Sequence, residues 1–420
     1  MGEEFADVYL KLEAWCRARG YAGHDPFDAL NSRLFRMTPL RRSRLARLAW
    51  TQALKRSPVN LRRLLLVPVG VNAKGTALFA LAALSRVRAG AGADYGTEAR
   101  KLLGSLLAAR IEAPGGRAWG YNFDWQGRAF YAPQGTPTVV PTAFAVRALV
   151  EAAAAFNEPG TAAATVHAGG VRAGGGEYLG AAREACEFVL RGLNRSEEGD
   201  DEVCFSYTPL DQTRVFNASL LAGEALAAVG QCTGERELLD AARRAARHVV
   251  ARQRADGSWA YGADSYQGWA DNFHTAFVLT SLARVRRSLL AAGALGPGDE
   301  EGFDEALRRG YRFWREGFFL ADGWPRYYHD RSYPADAHSA GAALVAFAEL
   351  GGDEPEAVSA ARLVAGWAVR HLFDSRGFFY YQRRRLYTAR TPYMRWSQAW
   401  MLYGLARMME EGEKGKRERG

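Results

Sequence analysis

Two kinds of apolar pattern alternate along this chain of 420 residues. In the first kind, charged residues cover one side of a helical period, as in the stretch 241–252, AARRAARHVVAR. In the second kind nearly every residue is apolar and small, as in the stretch 340–348, AGAALVAFA. A helix that is apolar all round is buried, whereas a striped helix lies outside and covers it. The alternation therefore predicts pairs of helices, each with one outer and one inner member.

The alternation predicts twelve helices in six hairpins. The predicted outer and inner partners are 41–56 with 72–86, 95–110 with 137–153, 177–194 with 213–229, 237–253 with 270–285, 303–318 with 336–350, and 356–373 with 393–410. Six such hairpins favour closure into a ring, so the predicted fold is all-α, an (α/α)6 toroid. Because no linker divides the chain, we expect a single domain over 1–410, followed by a charged, disordered tail over 411–420.

Each predicted inner helix begins with a pair of small residues behind a variable one. The six occurrences are Gly75-Thr76-Ala77, Pro141-Thr142-Ala143, Asn217-Ala218-Ser219, His274-Thr275-Ala276, His338-Ser339-Ala340 and Trp396-Ser397-Gln398. Their spacing of 57 to 76 residues indicates a repeat architecture. Converging inner helices leave no room for large side chains, which explains the small residues. The alignment gives His274 and His338 the same repeat position, where side chains are expected to point toward the ring axis.

Loops that precede the inner helices carry glycine and alternating aromatic residues. They include 116–121, 204–207, 256–261, 322–328 and 376–381. Glycine favours a turn, and alternating aromatics favour a short strand. In the fourth hairpin, Gln253, Gly257 and Trp259 fit the Q-x3-G-x-W core of the QW repeat of terpene cyclases. We expect most of these aromatic side chains to pack between neighbouring helices rather than to stack on a ligand.

Polar and aromatic residues gather between these loops and the inner helices, which would place them at one mouth of the ring. Such a bowl suits a sugar, because aromatic faces cover the apolar side of the sugar ring and charged groups bind hydroxyls or a carboxylate. The predicted substrate-binding residues are Tyr121, Trp125, Arg128, Tyr131, Arg214, Asn217, Trp269, Arg331, Tyr381, Arg395 and Trp396. The arginines at the rim can equally well pair with nearby aspartates.

The candidate catalytic residues lie in the same predicted mouth. They are Asp271, His274, His338, Asp336, Tyr328 and Asp124. Asp271 and His274 are three residues apart at the start of a helix, so their side chains share a face and can pair. Capping of the helix N-terminus is an equal alternative for Asp271 and Asp336. For the histidines, a structural role stays open beside general acid–base or sugar-binding chemistry. No HExxH motif or comparable spacing is present, so we expect no metal and no cofactor.

The formal net charge of +9 is unevenly distributed. Between Arg33 and Arg63 there are ten basic residues and no acidic one. Such a run suits an anionic lipid surface or an acidic polymer, although a basic stripe on a helix is more often a solvated outer face. Nucleic acid is not expected as a partner, because no nucleic-acid-binding motif accompanies the charge.

The cysteines and the apolar runs bear on the cellular compartment. The four cysteines lack CxxC spacing and are predicted to be buried small hydrophobes. The first 20 residues contain no apolar core of a signal peptide, and the longest apolar run is too short to span a bilayer. We therefore expect a cytoplasmic protein with no transmembrane segment, for which peripheral contact with the inner face of the membrane through Arg33–Arg63 is an option.

Several strings resemble the polysaccharide-biosynthesis proteins of the VpsJ type. They are GYNFDWQ at 120–126, RAFY at 128–131, FSYTPL at 205–210, DGSW at 256–259, DNFH at 271–274, YYH at 327–329, DAHS at 336–339 and PYMRWSQAW at 392–400. The resemblance runs from Asp25 to Trp400 and implies a role in exopolysaccharide or surface-glycan production, but it implies no particular catalytic residues. A glycan or lipid-linked sugar substrate and polysaccharide-assembly partners go with that role. At the level of fold, the pattern is also similar to six-hairpin glycosidases, uronate-acting lyases and epimerases, and terpenoid-cyclase toroids.

Three functions compete on this basis. In the favoured one, an enzyme removes the proton beside a uronate carboxylate, with arginines neutralising the acid and a histidine or Tyr328 exchanging the proton, so that epimerisation or elimination follows. In the second, paired aspartates hydrolyse or transfer a glycoside. In the third, the protein is a non-catalytic glycan-binding partner of the polysaccharide assembly machinery. An isoprenoid cyclase is disfavoured, because the sequence contains no DxDD run.

Overall fold

The computed structural model describes residues 3–157, 176–197, 199, 201–351 and 355–417. Helices dominate this part of the chain, which confirms the predicted all-α class. The helices are α1 (Ala6–Arg17), α2 (Arg33–Met37), α3 (Arg44–Arg56), α4 (Ala73–Arg88), α5 (Ala93–Ala108), α6 (Val139–Ala155), α7 (Glu177–Arg191), α8 (Phe216–Thr233), α9 (Arg236–Val250), α10 (Asn272–Ala291), α11 (Asp299–Phe318), α12 (Ala337–Leu350), α13 (Pro355–Leu372) and α14 (Ala399–Arg417). A π-helical turn, Met394–Gln398, leads directly into α14.

The strands in the described residues are two or three residues long and lie in the loops between helices. They are β1 (Ile111–Ala113), β2 (Gly116–Ala118), β3 (Trp125–Gln126), β4 (Tyr131–Ala132), β5 (Arg195–Glu197), β6 (Val203–Phe205), β7 (Ala335–Asp336), β8 (Phe373–Asp374), β9 (Phe378–Phe379), β10 (Gln382–Arg383) and β11 (Thr388–Ala389). All pairings are antiparallel: β1–β2, β3–β4, β5–β6, β8–β9 and a three-stranded sheet of order β11–β10–β7.

The chain divides into two compact units. The first unit contains Met1–Gly92, Gly120–Thr136 and Phe318–Gly420, and the second contains Ala93–Trp119 and Pro137–Gly317. Both units therefore combine stretches that are distant in sequence. The prediction of a single domain over 1–410 stays a prediction.

In the second unit, three apolar helices lie side by side. Helix α8 packs against both α6 and α10, and the charged helices α7 and α9 pack on them. The apolar helices are buried over most of their length, whereas α9 buries a single face that includes Leu238, Ala242 and Val249. The division into inner and outer helices that the apolar patterns predict is confirmed in this unit.

A buried ion cluster joins these three inner helices. Glu224 on α8 accepts hydrogen bonds from Arg147 Nε on α6 at 2.6 Å, and from Ser281 Oγ (2.6 Å) and Arg284 Nη1 (3.1 Å) on α10. Burial raises the pKa of the Glu224 carboxyl, but the two guanidinium groups and the hydrogen bonds outweigh burial and hold the pKa below its ordinary value. The helices are thus held together by charge as well as by apolar contact.

The aromatic loops of this unit pack between helices, as expected. Trp119 and Trp259 are buried, and their indole N–H groups donate to the carbonyl oxygens of Leu106 at 2.7 Å and Val249 at 2.8 Å. Gln253 of the Q-x3-G-x-W motif donates to the carbonyls of Gly257 and Ala306, at 3.0 and 2.9 Å. The motif thereby ties its own turn to α11.

In the first unit, α14 packs against α4 and α12. The contact with α12 is close because glycine faces backbone on both sides. A Cβ on Gly341 would lie 2.6 Å from the carbonyl group of Trp400, and one on Gly404 would lie 2.7 Å from the carbonyl oxygen of Gly341. The small residues of these helices therefore permit the close approach that the repeat predicts.

One pairing in the predicted helix arrangement is wrong. Helix α3, predicted as the outer partner of α4, packs mainly on the 3-10 turns Asp28–Asn31 and Pro39–Arg42 and on β3, where Leu54 enters a small core of its own. Helix α1, which the pattern leaves unassigned, packs on α14 and buries Leu12. In addition, α14 continues to Arg417, whose guanidinium donates to the carbonyl of Ala89 at 2.9 Å, where a disordered tail was expected from residue 411.

The structure bears on two further predictions, the burial of the cysteines and the absence of a transmembrane segment. Cys16, Cys186 and Cys204 are buried and Cys232 is half-buried, all as free thiols, in line with a role as small hydrophobes. Among the described residues, no helix is long and apolar enough to cross a bilayer.

Candidate functional site

The first turn of α10, in the second unit, holds a paired carboxylate and imidazole. Asp271 has extended backbone and caps the helix, because its Oδ1 accepts the backbone N–H of His274 at 3.0 Å. The other oxygen, Oδ2, lies 2.7 Å from Nδ1 of the same histidine. The spacing of three residues that suggested this contact thus produces it, and the carboxylate acts as cap and imidazole partner at once.

The surroundings determine how this pair can act. The Asp271 carboxylate is buried and accepts a further hydrogen bond from Trp269 Nε1 at 3.2 Å. An ionised carboxylate only accepts, so the imidazole carries its proton on Nδ1, and Nε2 is the nitrogen left for a substrate. The His274 side chain is 25% exposed, which gives a ligand access to it.

Aromatic rings form the wall beside the imidazole. The rings of Tyr261 and Trp269 stack with centroids 4.9 Å apart and 12° between their planes, and Tyr261 also lies 4.8 Å from the His274 ring. Such half-buried faces suit the apolar side of a sugar ring. Together with Asp271 and Asn217, they line a depression in the surface.

Asn217, at the start of α8, supplies a polar group to the same depression. Its side chain is only 5% exposed, and its Oδ1 has no hydrogen-bond partner among the described residues. A buried acceptor of this kind costs free energy unless something satisfies it. A hydroxyl group of a bound ligand would do so.

In the first unit, the other predicted aspartate–histidine pair is arranged differently. Asp336 is fully buried, caps α12 by accepting the Ser339 N–H at 2.8 Å, and accepts Trp396 Nε1 at 3.2 Å. His338 is 1% exposed and lies between two indoles, 4.2 Å from the Trp396 ring and 5.0 Å from that of Trp400. Burial raises the pKa of the Asp336 carboxyl. Counted from the cap, His338 is the second helical residue whereas His274 is the third, so the expectation of one shared repeat position is wrong.

Arg395 binds a carboxylate, and that carboxylate belongs to the protein. Its Nε and Nη2 donate to the two oxygens of Asp25 at 2.6 and 2.8 Å, and both side chains are buried. The guanidinium also lies 5.3 Å from the ring centroids of Tyr121 and Trp396. Arg395, Trp396, Tyr121 and His338 are thus in one cluster, but this arginine is engaged within the fold.

Asp124, Trp125 and Tyr131 lie on the β3–β4 hairpin of the first unit. Asp124 accepts Arg36 Nη2 at 3.0 Å and the backbone N–H of Gln134 at 2.8 Å. Trp125 lies edge-on to Tyr121 at 6.1 Å. The guanidinium of Arg47 covers the Tyr131 ring at 4.5 Å. The hairpin is therefore in contact with the basic stretch Arg33–Arg63 through Arg36 and Arg47. The sequence pattern did not indicate this contact.

The remaining predicted residues belong to neither of the two aspartate–histidine pairs. In the first unit, exposed Arg331 pairs with Asp330 at 2.8 Å and lies 4.9 Å from the Tyr328 ring, whereas Tyr381 is buried beside Tyr393. Arg128 is exposed. In the second unit, Arg214 is half-buried, and its carbonyl accepts the Ala263 N–H at 2.9 Å.

Lys55 was missed as a candidate. It is half-buried in the first unit, its ammonium group 4.3 Å from the Phe27 ring centroid and 5.6 Å from that of Trp396. Burial lowers the pKa of Lys55 to about 8, while the nearby Asp336 and Asp25 carboxylates act in the opposite direction. Nothing in the local sequence distinguishes this lysine from the other residues of the basic run.

Comparison with solved structures defines the fold. The chain is similar to cellobiose 2-epimerase from Bacillus thermoamylovorans (TM-score 0.59, 14% identity, covering 82% of this chain and 88% of that chain). It is also similar to a family 76 α-mannanase from Bacteroides thetaiotaomicron (0.55, 12%, 82% and 87%) and to an unsaturated glucuronyl hydrolase specific for heparin (0.53, 13%, 80% and 85%). The fold is an (α/α)6 toroid, as the six hairpins predict, and these structures of the same fold are carbohydrate-modifying enzymes.

Comparisons of sequence give no match. No protein-family model matches the chain, and no curated protein does so either. The resemblance to VpsJ-type proteins stays a prediction from the strings that carry it.

Proposed function

We propose that this protein is a carbohydrate-active enzyme that modifies a glycan by proton transfer at His274. The observation that carries the proposal is the 2.7 Å contact between His274 Nδ1 and the buried Asp271 carboxylate, beside the stacked rings of Tyr261 and Trp269. The toroids that the chain resembles, which include epimerases and hydrolases of sugars, agree with it. The resemblance in fold alone leaves the reaction open.

In this proposal the two residues have distinct roles. Asp271 holds the proton on Nδ1 and stabilises the imidazolium that forms when Nε2 takes a proton from a sugar carbon. When the C–H bond beside a carbonyl or carboxylate breaks, its electron pair moves toward that group as an enolate. Return of a proton from water to the opposite face, with the imidazolium proton lost to solvent, gives the epimer. Expulsion of the substituent on the next carbon, which takes up the imidazolium proton as it leaves, gives an unsaturated sugar.

The paired-aspartate alternative has less support. Asp271 is committed to its cap and its histidine, Asp336 is fully buried, and Asp124 is bound by Arg36 and the Gln134 N–H. A glycosidase needs one carboxyl to donate a proton and another to attack or to activate water. All three carboxylates are bound by other groups of the protein, whereas the paired imidazole of His274 has Nε2 left for a substrate.

The biological setting proposed is surface-polysaccharide biosynthesis. It rests on the VpsJ-type strings, several of which contain residues of the site: DNFH contains Asp271 and His274. A glycan or lipid-linked sugar made in the cytoplasm is the substrate that this setting implies, with polysaccharide-assembly proteins as partners. A uronate-containing chain is the substrate that the sequence pattern favours, and its carboxylate has to be neutralised by a cation before the adjacent carbon can lose a proton.

Incubation in D2O tests the proposed chemistry. The purified protein is mixed with neutral and uronate-containing oligosaccharides, and products are examined by NMR and mass spectrometry. Deuterium at one carbon, with an epimer or a double bond, is expected. His274→Ala should lower the rate by about 10²–10⁴-fold, the range for loss of a general acid–base group.

Two controls make the result specific. His371→Ala removes an exposed histidine on α13 and should leave turnover unchanged. Asp271→Asn keeps a capping side chain, so it should fold normally and lose activity. New reducing ends without deuterium would show a glycosidase instead, and full activity of His274→Ala would rule out the proposed base.

A further inference from the structure

We propose that the first unit carries a docking face for an anionic lipid surface. The face is formed by residues 33–71 and 383–386, and we name it the basic apolar face. It holds α2, the 3-10 turn Pro39–Arg42, α3 and the loop that follows α3. The inference is independent of the chemistry proposed for His274.

The face has one sign of charge. All ten charged residues between Arg33 and Val71 are basic, and all of them except Arg62, which is buried against Asp28, are exposed or half-buried. Arg383, Arg384 and Arg385 add three more. Arg41 and Arg42 are exposed, and with Arg36 and Arg47 they line an open cleft. A single carboxylate, that of Asp124, lines the same cleft. Anions are therefore attracted to it.

The same face exposes large apolar side chains. Of the seventeen such side chains that are exposed in the described part of the chain, eleven are here: Leu34, Met37, Leu40, Leu45, Val59, Leu61, Leu64, Leu66, Val69, Val71 and Leu386. Met37 and Leu386 are 83% and 91% exposed. A concentration of this kind marks an interaction surface, whereas scattered exposed leucines do not.

Hydrogen bonds join the segments of the face. Ser32 Oγ donates to the Leu65 carbonyl at 2.6 Å, and the Arg33 N–H donates to the Leu66 carbonyl at 3.3 Å, so the loop after α3 lies against the start of α2. The Tyr387 hydroxyl donates to the Arg56 carbonyl at 2.5 Å and brings 383–386 to the end of α3. The basic and apolar residues thus belong to one connected part of the surface.

A lipid surface accounts for both properties of the face. Anionic headgroups attract the arginines, and leucine, valine and methionine side chains insert at the boundary with the acyl chains. An acidic polysaccharide would use the charge and leave the apolar side chains in water. In a symmetric contact between two copies, the same basic residues would meet each other and repel. Because no helix in the described residues can cross a bilayer, the contact is peripheral.

Vesicle flotation tests the face with the full-length chain. One set of vesicles is phosphatidylcholine, and the other is an equal mixture of phosphatidylcholine and phosphatidylglycerol. Binding is expected only to the second set, and it should weaken with salt, because screening reduces attraction to the surface. Since each basic residue near an anionic surface is worth about fivefold in affinity, Arg41→Glu with Arg42→Glu should lower binding by roughly 25-fold or more.

A second variant tests the apolar part, and matched controls lie elsewhere on the protein. Met37→Ser with Leu40→Ser should weaken binding at all salt concentrations. Arg308→Glu with Arg312→Glu on α11, and Leu210→Ser with Leu363→Ser, change exposed residues outside the face and should bind as the parent does. Circular dichroism confirms that each variant is folded.

Three outcomes would overturn the inference. One is failure of the parent chain to float with anionic vesicles at low salt. Another is equal loss in the face and control variants. The last is a different occupant of the face. Soluble alginate that displaces the vesicles and binds the Met37→Ser/Leu40→Ser variant normally would indicate an acidic polysaccharide. A dimer in sedimentation that these two substitutions abolish would indicate a second copy of the chain. Each result is independent of turnover, so it stands apart from the test of His274.

Discussion

The first turns of α10 and α12 have the same cap and differ in where the histidine stands. Asp271 and Asp336 both have extended backbone, and each accepts the N–H of the third helical residue, at 3.0 and 2.8 Å. That third residue is His274 in α10 and Ser339 in α12. The histidine of α12, His338, is the second residue.

This difference of one residue changes what the imidazole can do. A side chain three residues after the cap returns over the cap, so His274 pairs with the Asp271 carboxylate. A step of one residue turns the side chain by about 100° around the helix, and His338 points instead between Trp396 and Trp400. Position relative to the cap therefore decides between a paired, accessible imidazole and a buried, packed one.

The largest expected effect is on stability, at His338. Replacing His338 by alanine leaves a cavity between two indoles, and we expect the free energy of unfolding to fall by about 2–4 kcal/mol, as for large-to-small changes in a core. His274→Ala removes a partly exposed ring and should cost less than about 1 kcal/mol. Urea unfolding of both variants checks this. Equal losses would show that the two histidines have equivalent environments and would end the comparison.

A pH-dependent effect is expected next, from the lysine near the Asp336 cap. The pKa of Lys55 is about 8 in the folded protein and 10.5 ordinarily, so between these values the unfolded chain binds the additional proton. Stability should therefore rise with pH across this window, by about 1–3 kcal/mol, and Lys55→Met should remove that rise. The measurement is urea unfolding from pH 7 to 11.

The Asp336 carboxyl has the opposite dependence and serves as a check on that result. Because its pKa is raised in the folded protein, its contribution to stability falls as pH rises above the ordinary value of 3.8. Asp336→Asn keeps the cap and should flatten this fall. An unchanged slope in both variants would show that neither group is perturbed by burial.

The smallest expected effect concerns the fourth residue after the cap. Thr275 Oγ1 donates to the Asp271 carbonyl at 2.7 Å, and Thr142 on α6 makes the same bond to the Thr138 carbonyl at 2.8 Å. Changing either threonine to valine keeps its shape. The expected cost is about 0.5–1.5 kcal/mol for Thr275 and about 1–3 kcal/mol for Thr142, because Thr142 Oγ1 also accepts the buried backbone N–H of Trp119 at 3.0 Å. Thr275→Val should also alter the substrate KM, because Thr275 lines the depression, whereas Thr142→Val serves as the structural control. Identical kinetics of the two variants would argue against a site at this place.

Much of the fold follows from the sequence because its signal is local and repeated. A helix that is apolar on all sides, such as α8, has to be buried, and six such helices with charged partners define the toroid. The predicted pairing of α3 with α4 is wrong because a local pattern does not identify the partner of a helix. The stripe of α3 shows that it covers something, and only the tertiary contacts show that it covers 3-10 turns rather than α4.

In the candidate site, too, contacts between residues close in sequence could be predicted, and contacts between distant residues could not. The contact of Asp271 with His274 could be predicted, because three residues in a helix fix it. The engagement of Arg395 by Asp25 could not be, since 370 residues separate them and either could have faced a ligand. The burial of His338 depends on Trp396 and Trp400 from another repeat, which no pattern near residue 338 announces.

The Glu224 cluster has a consequence for how sequences of this kind can diverge. Arg147, Glu224, Ser281 and Arg284 come from three helices and share one carboxylate, and the last two belong to the helix that begins at the Asp271–His274 pair. Loss of the acid would remove the buried carboxylate that two cations share. Related chains should therefore keep these four positions together or exchange them together for apolar residues, and a lone change at 224 should be rare.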